Sequence, residues 1–87
     1  MISKSLAIKN KSGLHARPAS DFIMKASSFK SDIRIHFNGK KINAKSIIEL
    51  LAGGIKAGSI IELEVDGVDE TEAMNELTAL IESRFGE

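Results

Sequence analysis

The sequence has 87 residues, of which 43% are hydrophobic and 28% are charged, and its 12 basic and 12 acidic side chains give a net charge of zero. A chain this short is expected to form one domain, residues 1–87, with a single core and no deep enclosed pocket, so any chemistry takes place at its surface. Zero net charge argues against nucleic-acid binding, and the absence of cysteine excludes disulfides, thiol catalysis and thiolate metal sites.

The N-terminal stretch Met1–Leu6 lacks the continuous apolar core of a signal peptide. No apolar run approaches the length that is needed to cross a bilayer. We therefore expect a cytoplasmic protein without membrane insertion.

A change of hydrophobic period separates the first strand from the first helix. Residues 2–8 alternate, which is typical of a half-buried strand, and residues 10–13 form a polar turn. From Ala16 onward, apolar residues at helical spacing are expected to face the core, namely Ala16, Ala19, Phe22, Ile23 and Ala26. A second stripe of this helix carries Arg17, Ser20 and Met24, of which Met24 is either an isolated exposed apolar residue or part of a contact surface.

The next segment predicts a β-hairpin. Residues 32–37 alternate, and Asn38-Gly39 is typical of a type I′ turn, after which residues 40–44 return as the second strand. His36 is expected to point outward without a nearby carboxylate or second histidine, so we do not expect a metal site there.

Residues 46–51 predict a short helix. Ser46 and Glu49 match the capping box, in which each side chain accepts a hydrogen bond from the other residue's backbone amide. Leu50 can point inward, but fewer than two turns cannot bury Ile47, Ile48 and Leu51 as well. We therefore expect a contiguous apolar patch that suggests a protein partner.

The last strand and the last helix follow a glycine-rich turn. Residues 61–65 alternate, and Asp69 with Glu72 is typical of a helix N-terminus. The buried stripe of this helix is predicted to contain Ala73, Met74, Leu77, Leu80 and Ile81, with Arg84 near its C-terminus.

The element order β-α-β-β-α-β-α predicts an α+β open-faced sandwich, a four-stranded antiparallel sheet with three helices on one face. The pattern alone also allows a mixed sheet. A nucleic-acid-binding ferredoxin-like domain shares part of this order, but the strands lack exposed aromatic residues for base stacking.

The stretch Gly13–Ser20 carries the most specific chemistry. His15 precedes a helix whose first turn accommodates Pro18, so its ring lies near unpaired backbone amides and Arg17. Both features disfavour a positive charge on His15, and a neutral ring has a lone pair for nucleophilic attack. The same groups would stabilise the dianionic phosphoryl group of a phosphohistidine. Either His15 or Arg17 could be the capping residue of this helix.

Other motifs of phosphoryl transfer are missing. The chain has no Walker loop and no GxGxxG sequence, and no carboxylate pair or Ser–His–Asp set can be assembled. We expect no cofactor and no metal ion. The predicted role is that of a phosphoryl acceptor and donor, with other proteins supplying and removing the group.

The stretch GLHARPAS at residues 13–20, with KSII around Ser46 and glycines at 54 and 58, resembles the histidine-containing phosphocarrier (HPr) family of the bacterial sugar phosphotransferase system. The resemblance covers essentially the whole chain. It implies that phosphorylated enzyme I phosphorylates His15 on Nδ1, with phosphoenolpyruvate as the ultimate donor. The group then passes to sugar-specific enzyme IIA proteins or domains, so the chain is a carrier with a phosphohistidine intermediate and no substrate turnover of its own.

The resemblance also assigns roles around His15. It implies that Arg17 pairs with the phosphoryl oxygens, that the amides of Ala16 and Arg17 face them, and that Ser12 lies beside the histidine. Matches to the family's docking face are Ser20, Met24, Ile47, Ile48 and Leu51. A monomer is expected.

Two positions depart from the family pattern. Ser46 matches the serine that HPr kinase/phosphorylase phosphorylates in many members, but Glu49 stands where glycine is common, and its carboxylate would repel a phosphate. Regulation at Ser46 is therefore a hypothesis. Gly53 stands where leucine is frequent, which is expected to loosen the end of the short helix.

The nearest alternative is an HPr-like paralogue that keeps His15 but acts as a regulatory module, binding a transcriptional regulator or a metabolic enzyme. Docking to enzyme I separates the two roles. A purely structural domain would leave both the His15–Arg17 pair and the apolar patch unexplained.

Overall fold

One antiparallel sheet forms the base of the computed structural model, which describes residues 1–87. Its strands are β1 (Ile2–Ala7), β2 (Asp32–Phe37), β3 (Lys40–Asn43) and β4 (Ile60–Asp66). Their order across the sheet is β1-β4-β2-β3. The helices are α1 (Ala16–Ser27), α2 (Ile47–Ala52) and α3 (Glu70–Glu82), followed by a 3₁₀ turn at Arg84–Gly86. The predicted α+β open-faced sandwich is confirmed, and every strand pair is antiparallel.

Cross-strand rows explain why the helices cover only one face of the sheet. Leu6 pairs with Ile61, and Ile35 lies between Leu63 and Ile42, all with buried side chains. The helices cover this face with their own buried residues, which include Ala19, Phe22, Ala26, Leu50, Ala73, Met74, Leu77 and Ile81. The next row along the strands is polar and faces away from the helices; it consists of Ser3, Glu64, Arg34 and Asn43.

The hairpin turn has the predicted geometry. Asn38 and Gly39 both have positive φ values, 55° and 76°, as a type I′ turn requires.

No helix of the fold combines the length and the apolar character that crossing a membrane requires.

The environments of Ala16 and His36 differ from the prediction, and those of Ile23 and Leu80 differ in part. Ala16 is exposed, because it lies at the first position of α1 with φ of 49° rather than on the buried stripe. Ile23 and Leu80 are only partly buried at the margin of the core. His36 does have a carboxylate partner, since its Nε2 lies 2.8 Å from Glu64 Oε1 on the neighbouring strand. This hydrogen bond is the main reason why the pKa of Glu64 lies below its usual value.

The helix caps also differ from the sequence patterns. Ser46 caps α2 by accepting a hydrogen bond from the Glu49 amide at 3.3 Å, but the Glu49 carboxylate accepts from the Asn43 amide at 3.1 Å instead of completing the capping box. Asp69 precedes α3 without capping it through its side chain. Its carboxylate instead accepts hydrogen bonds from the Lys30 amide and from the amide and hydroxyl of Ser31, which ties the α1–β2 connection to α3.

The structure also shows how α2 ends at Gly53 and where Arg84 lies relative to α3. The Gly53 amide closes α2 by donating to the carbonyls of Glu49 and Leu50, and a Cβ at Gly53 would lie 2.6 Å from Ile42 Cδ1. The helix end is therefore hydrogen-bonded rather than loose, and a Cβ at residue 53 would require the end of the Ile42 side chain to move. Arg84 lies beyond α3, in the 3₁₀ turn.

Candidate functional site

A closely packed loop presents His15 at the start of α1. The loop of residues 10–15, called the His15 loop below, packs flat against residues 55–57, and a Cβ at Gly13 would lie 2.7 Å from the Ile55 carbonyl oxygen. Gly13 also has φ of 61°, so glycine is required for both space and conformation. Leu14 is fully buried, and its amide donates to the Ile55 carbonyl at 3.0 Å.

His15 is the N-cap residue of α1, which resolves the two alternatives for the helix start. Its backbone is extended and its side chain makes no capping hydrogen bond. The imidazole is therefore exposed and not committed to holding the helix. None of the surface depressions of the molecule includes His15, so a reacting group would reach it from solvent or from a docked protein.

Backbone strain accompanies this position. Ala16 has φ of 49°, a left-handed conformation that is uncommon for residues other than glycine. Such outliers persist where the surroundings over-determine the backbone, and they cluster at functional sites. Buried Leu14 on one side and buried Pro18 on the other anchor the chain around Ala16.

Arg17 is held by contacts within the chain. Its Nη1 donates to Asp21 Oδ2 at 2.7 Å and its Nη2 donates to the Phe85 carbonyl at 2.9 Å. Arg17 Nη2 also lies 3.9 Å from Glu87 Oε2. The guanidinium thus links the first turn of α1 to the segment of residues 84–87, called the 84–87 turn below.

The same turn reaches the His15 loop. The Ser12 amide donates to Glu87 Oε1 at 3.0 Å, and Asn10 Nδ2 donates to that oxygen at 3.3 Å. Asn10 is buried and also donates to the Gly13 carbonyl at 2.8 Å. The hydrogen bond from the Ser12 amide is the main reason why the pKa of Glu87 lies below its usual value.

Sequence reasoning missed Asn10, Phe85 and Glu87. Glu87 lies 75 positions from Ser12 along the chain, so no local pattern could have placed them together. Phe85 is buried although it follows the last helix, and it and Arg84 have positive φ values of 54° and 59°. These residues turn the chain back toward the His15 loop.

An exposed apolar patch lies on α2, as predicted, and we include in it the exposed Met24 of the neighbouring helix α1. We use this name for Met24 of α1 and Ile47, Ile48 and Leu51 of α2, whose exposed fractions are 70%, 41%, 78% and 40%. Ser20 of α1 is also exposed, while Leu50 is fully buried. Helices α1 and α2 contact each other.

No three His, Asp or Glu side chains come together in a group that could hold a metal ion.

Ser46 is half-buried and lies at the start of α2, directly before Ile47.

Comparison with known proteins gives one consistent result. A family model described as "PTS HPr component phosphorylation site" matches residues 2–83. The phosphocarrier protein HPr of Neisseria meningitidis serogroup A is 47% identical over 87 residues, which is 100% of this chain and 98% of that protein. The HPr-like protein Crh of Halalkalibacterium halodurans is 49% identical over 94% of this chain and 98% of its own length.

Solved structures agree with the sequence relatives. A crystal structure of HPr from Thermoanaerobacter tengcongensis superposes with a TM-score of 0.98 at 47% identity, covering 100% of this chain and 98% of that one. A crystal structure described as an HPr dimer from the same organism has a TM-score of 0.81 at 47% identity and covers 100% of both chains.

Proposed function

Since the chain belongs to the HPr family of phosphotransferase-system phosphocarriers, we propose that it accepts a phosphoryl group on His15 and passes it to another protein. The observation that carries this proposal is the geometry of His15. Its ring is exposed and makes no capping hydrogen bond, on a loop fixed by Gly13 and Leu14. A nucleophile in this setting is accessible to large partners and needs no reorganisation of the backbone before reaction.

The transfer requires no net proton change at the histidine. The unprotonated ring nitrogen, Nδ1 by the family resemblance, attacks phosphorus with its lone pair and forms the new P–N bond. The bond between phosphorus and the donor atom breaks, and its electron pair stays on the donor. The proton on the other ring nitrogen remains in place. Transfer onward is the reverse exchange with a different protein.

The proposed donor is phosphorylated enzyme I, and the proposed acceptors are enzyme IIA proteins or domains. The apolar patch supports protein donors and acceptors, because contiguous exposed apolar surface of this kind is typical of protein contacts. Phosphoenolpyruvate, the proposed ultimate donor, is a cytoplasmic metabolite, so the carrier would work in the cytoplasm.

The test is incubation with enzyme I and phosphoenolpyruvate, followed by mapping of acid-labile phosphate. We expect one phosphoryl group on His15 and none on a His15→Ala variant. The chain contains one other histidine, and His36→Ala is the matched control that should still be phosphorylated. Absence of label on the unaltered protein, or label on His15→Ala, would contradict the proposal.

A regulatory role without sugar transport is the second candidate, and the 38% identity to Crh, described as the Bacillus subtilis catabolite repression HPr, favours keeping it. A regulatory module would bind its partner through the apolar patch without phosphoryl exchange at His15. Phosphorylation by enzyme I within seconds at micromolar concentration would favour the carrier. Binding to a regulator with no such reaction would favour the regulatory module.

Ser46 is the proposed regulatory position, with HPr kinase/phosphorylase as its partner. Its Oγ accepts the capping hydrogen bond of α2, directly before Ile47 of the apolar patch. A phosphate there would add negative charge at the edge of the patch and weaken docking to enzyme I. Incubation with the kinase and ATP should add the mass of one phosphate to the unaltered protein and none to Ser46→Ala. No added mass, or undiminished docking of the modified form, would rule out this regulation.

A further inference from the structure

The side chain of Glu87 occupies hydrogen-bond donors of the His15 loop. Its Oε1 accepts from the Ser12 amide at 3.0 Å and from Asn10 Nδ2 at 3.3 Å. Its Oε2 lies 3.9 Å from Arg17 Nη2, and only 19% of the Glu87 side chain is exposed. An anionic group is therefore already present among the donors of the His15 loop and close to Arg17.

The 84–87 turn holds this carboxylate in place. Phe85 is buried in the core, and its carbonyl accepts from Arg17 Nη2 at 2.9 Å. Arg84, Phe85 and Gly86 all have positive φ values, which reverses the chain direction after α3. Non-glycine residues rarely adopt this conformation, so the contacts of Phe85 and Glu87 with the rest of the chain must stabilise it.

We infer that Glu87 competes with the phosphoryl group of His15 for the Ser12 amide and Arg17, and thereby lowers the stability of the phosphorylated form. This inference rests on the proposed phosphorylation of His15. The phosphoryl group is a dianion that needs charge-assisted hydrogen bonds, and two donors on the segments that flank His15, the Ser12 amide and the Arg17 guanidinium, already face a carboxylate. Phosphorylation therefore either displaces Glu87 or leaves two anions close together.

Competition of this kind makes His15 a poorer acceptor and phosphorylated His15 a better donor. The pKa of Glu87 lies below its usual value, chiefly because the Ser12 amide donates to it, so the carboxylate is ionised at neutral pH. A carrier must release its phosphoryl group as readily as it accepts it. An internal anion that weakens the hold on the group favours release.

Glu87→Gln tests the inference, because it keeps the shape of the side chain and removes its charge. Glu82→Gln is the matched control. Glu82 lies at the end of α3, and its exposed carboxylate pairs with Lys9 at 3.3 Å. We expect the phosphoryl equilibrium between enzyme I and the protein to shift about threefold or more toward the phosphorylated protein in Glu87→Gln, the effect of losing one ion pair of moderate strength. Glu82→Gln should leave the equilibrium unchanged.

A second measurement separates this inference from the proposed function. In the unphosphorylated protein, the backbone amide resonance of Ser12 should move in Glu87→Gln and stay in place in Glu82→Gln. If enzyme I does not phosphorylate the unaltered protein, the proposed function fails, and His15 can still be phosphorylated chemically with phosphoramidate in a His36→Gln background. The phosphohistidine should then hydrolyse about threefold more slowly in Glu87→Gln.

Two results would overturn the inference while leaving the carrier role intact. One is a Ser12 amide resonance that does not respond to Glu87→Gln. The other is a phosphoryl equilibrium or hydrolysis rate that is unchanged, or that shifts in the opposite direction, while enzyme I still labels His15.

Discussion

Arg17 Nη1 donates to Asp21 Oδ2 at 2.7 Å, one helical turn further along α1. The other branch of the guanidinium donates to the Phe85 carbonyl. Both partners are acceptors that hold the guanidinium in the unphosphorylated protein, although more than half of the Arg17 side chain is exposed. The cation is thus kept at the first turn of α1 without being buried, and in the proposed phosphorylated form it would exchange these partners for the phosphoryl oxygens.

Replacing Arg17 with glutamate should slow phosphoryl transfer about 100-fold, the typical effect of losing one stabilising donor at a reacting group. The free energy of unfolding should fall by about 1–2 kcal/mol, because an exposed i,i+4 ion pair contributes little and the lost hydrogen bond to the Phe85 carbonyl adds about 1 kcal/mol. Rapid-quench transfer from enzyme I and denaturant unfolding measure the two effects. Lys30→Glu makes the same charge change at an exposed residue beyond the end of α1 and should alter neither quantity. If stability falls as much as transfer, Arg17 has a structural role instead.

Replacing Ile48 with glutamate should raise the KM for enzyme I about tenfold or more, which corresponds to about 1.4 kcal/mol of lost docking energy. The reason is that Ile48 is 78% exposed within the apolar patch. Val68 is 88% exposed on the β4–α3 connection, so Val68→Glu is the matched control. Steady-state phosphorylation assays with each variant give the KM values. Equal effects of both substitutions would mean that docking does not depend on the patch.

Replacing Asp69 with asparagine should destabilise the fold at pH 7, because its amide group would face the donors of Lys30 and Ser31 that now bind a carboxylate. The Ser31 hydroxyl is the main reason why the pKa of Asp69 lies below its usual value. A carboxylate whose pKa is lowered by folding stabilises the protein above its unfolded pKa of about 3.9, and this contribution disappears as pH falls through the lower folded value.

The difference in unfolding free energy between the unaltered protein and Asp69→Asn should therefore shrink below about pH 4. Denaturant unfolding at a series of pH values measures this difference. Glu72→Gln, on the exposed first turn of α3, is the control and should show no comparable difference at pH 7. A difference that stays constant down to pH 2 would contradict the role given to the Asp69 carboxylate.

Replacing Leu50 with alanine should lower the free energy of unfolding by about 2–5 kcal/mol, since a fully buried leucine leaves a cavity. Ile48→Ala, two residues away on the exposed side of α2, should change it by no more than about 0.5 kcal/mol. Thermal or denaturant unfolding of the two variants is the measurement. Similar losses for both would show that α2 docks on the sheet through a different face.

Sequence periodicity predicted the sheet and the helices well, because strands and helices that bury one face must repeat apolar residues at fixed intervals. The Asn38-Gly39 turn was predictable for a similarly local reason, since few residue pairs tolerate two positive φ values. The exposed members of α2 followed from counting how many side chains a helix of six residues can bury.

Contacts between distant parts of the chain were not predictable in this way. The Ser46–Glu49 pattern gave one correct capping bond, but the Glu49 carboxylate binds Asn43, which a local motif does not contain. His36 has Glu64 as its partner only because β2 and β4 are neighbours in the sheet. Glu87 reaches the His15 loop only because buried Phe85 reverses the chain.

The placement of the 84–87 turn determines where the protein can be labelled. Met1 lies near Asp66, whereas Glu87 contacts the His15 loop beyond the other end of β1, a strand of six residues that spans about 20 Å. A polyhistidine tag fused after Glu87 would therefore lie near the His15 loop, where it would obstruct docking proteins and present additional imidazoles to a phosphoryl donor. A tag or fluorophore attached before Met1 would leave that region free.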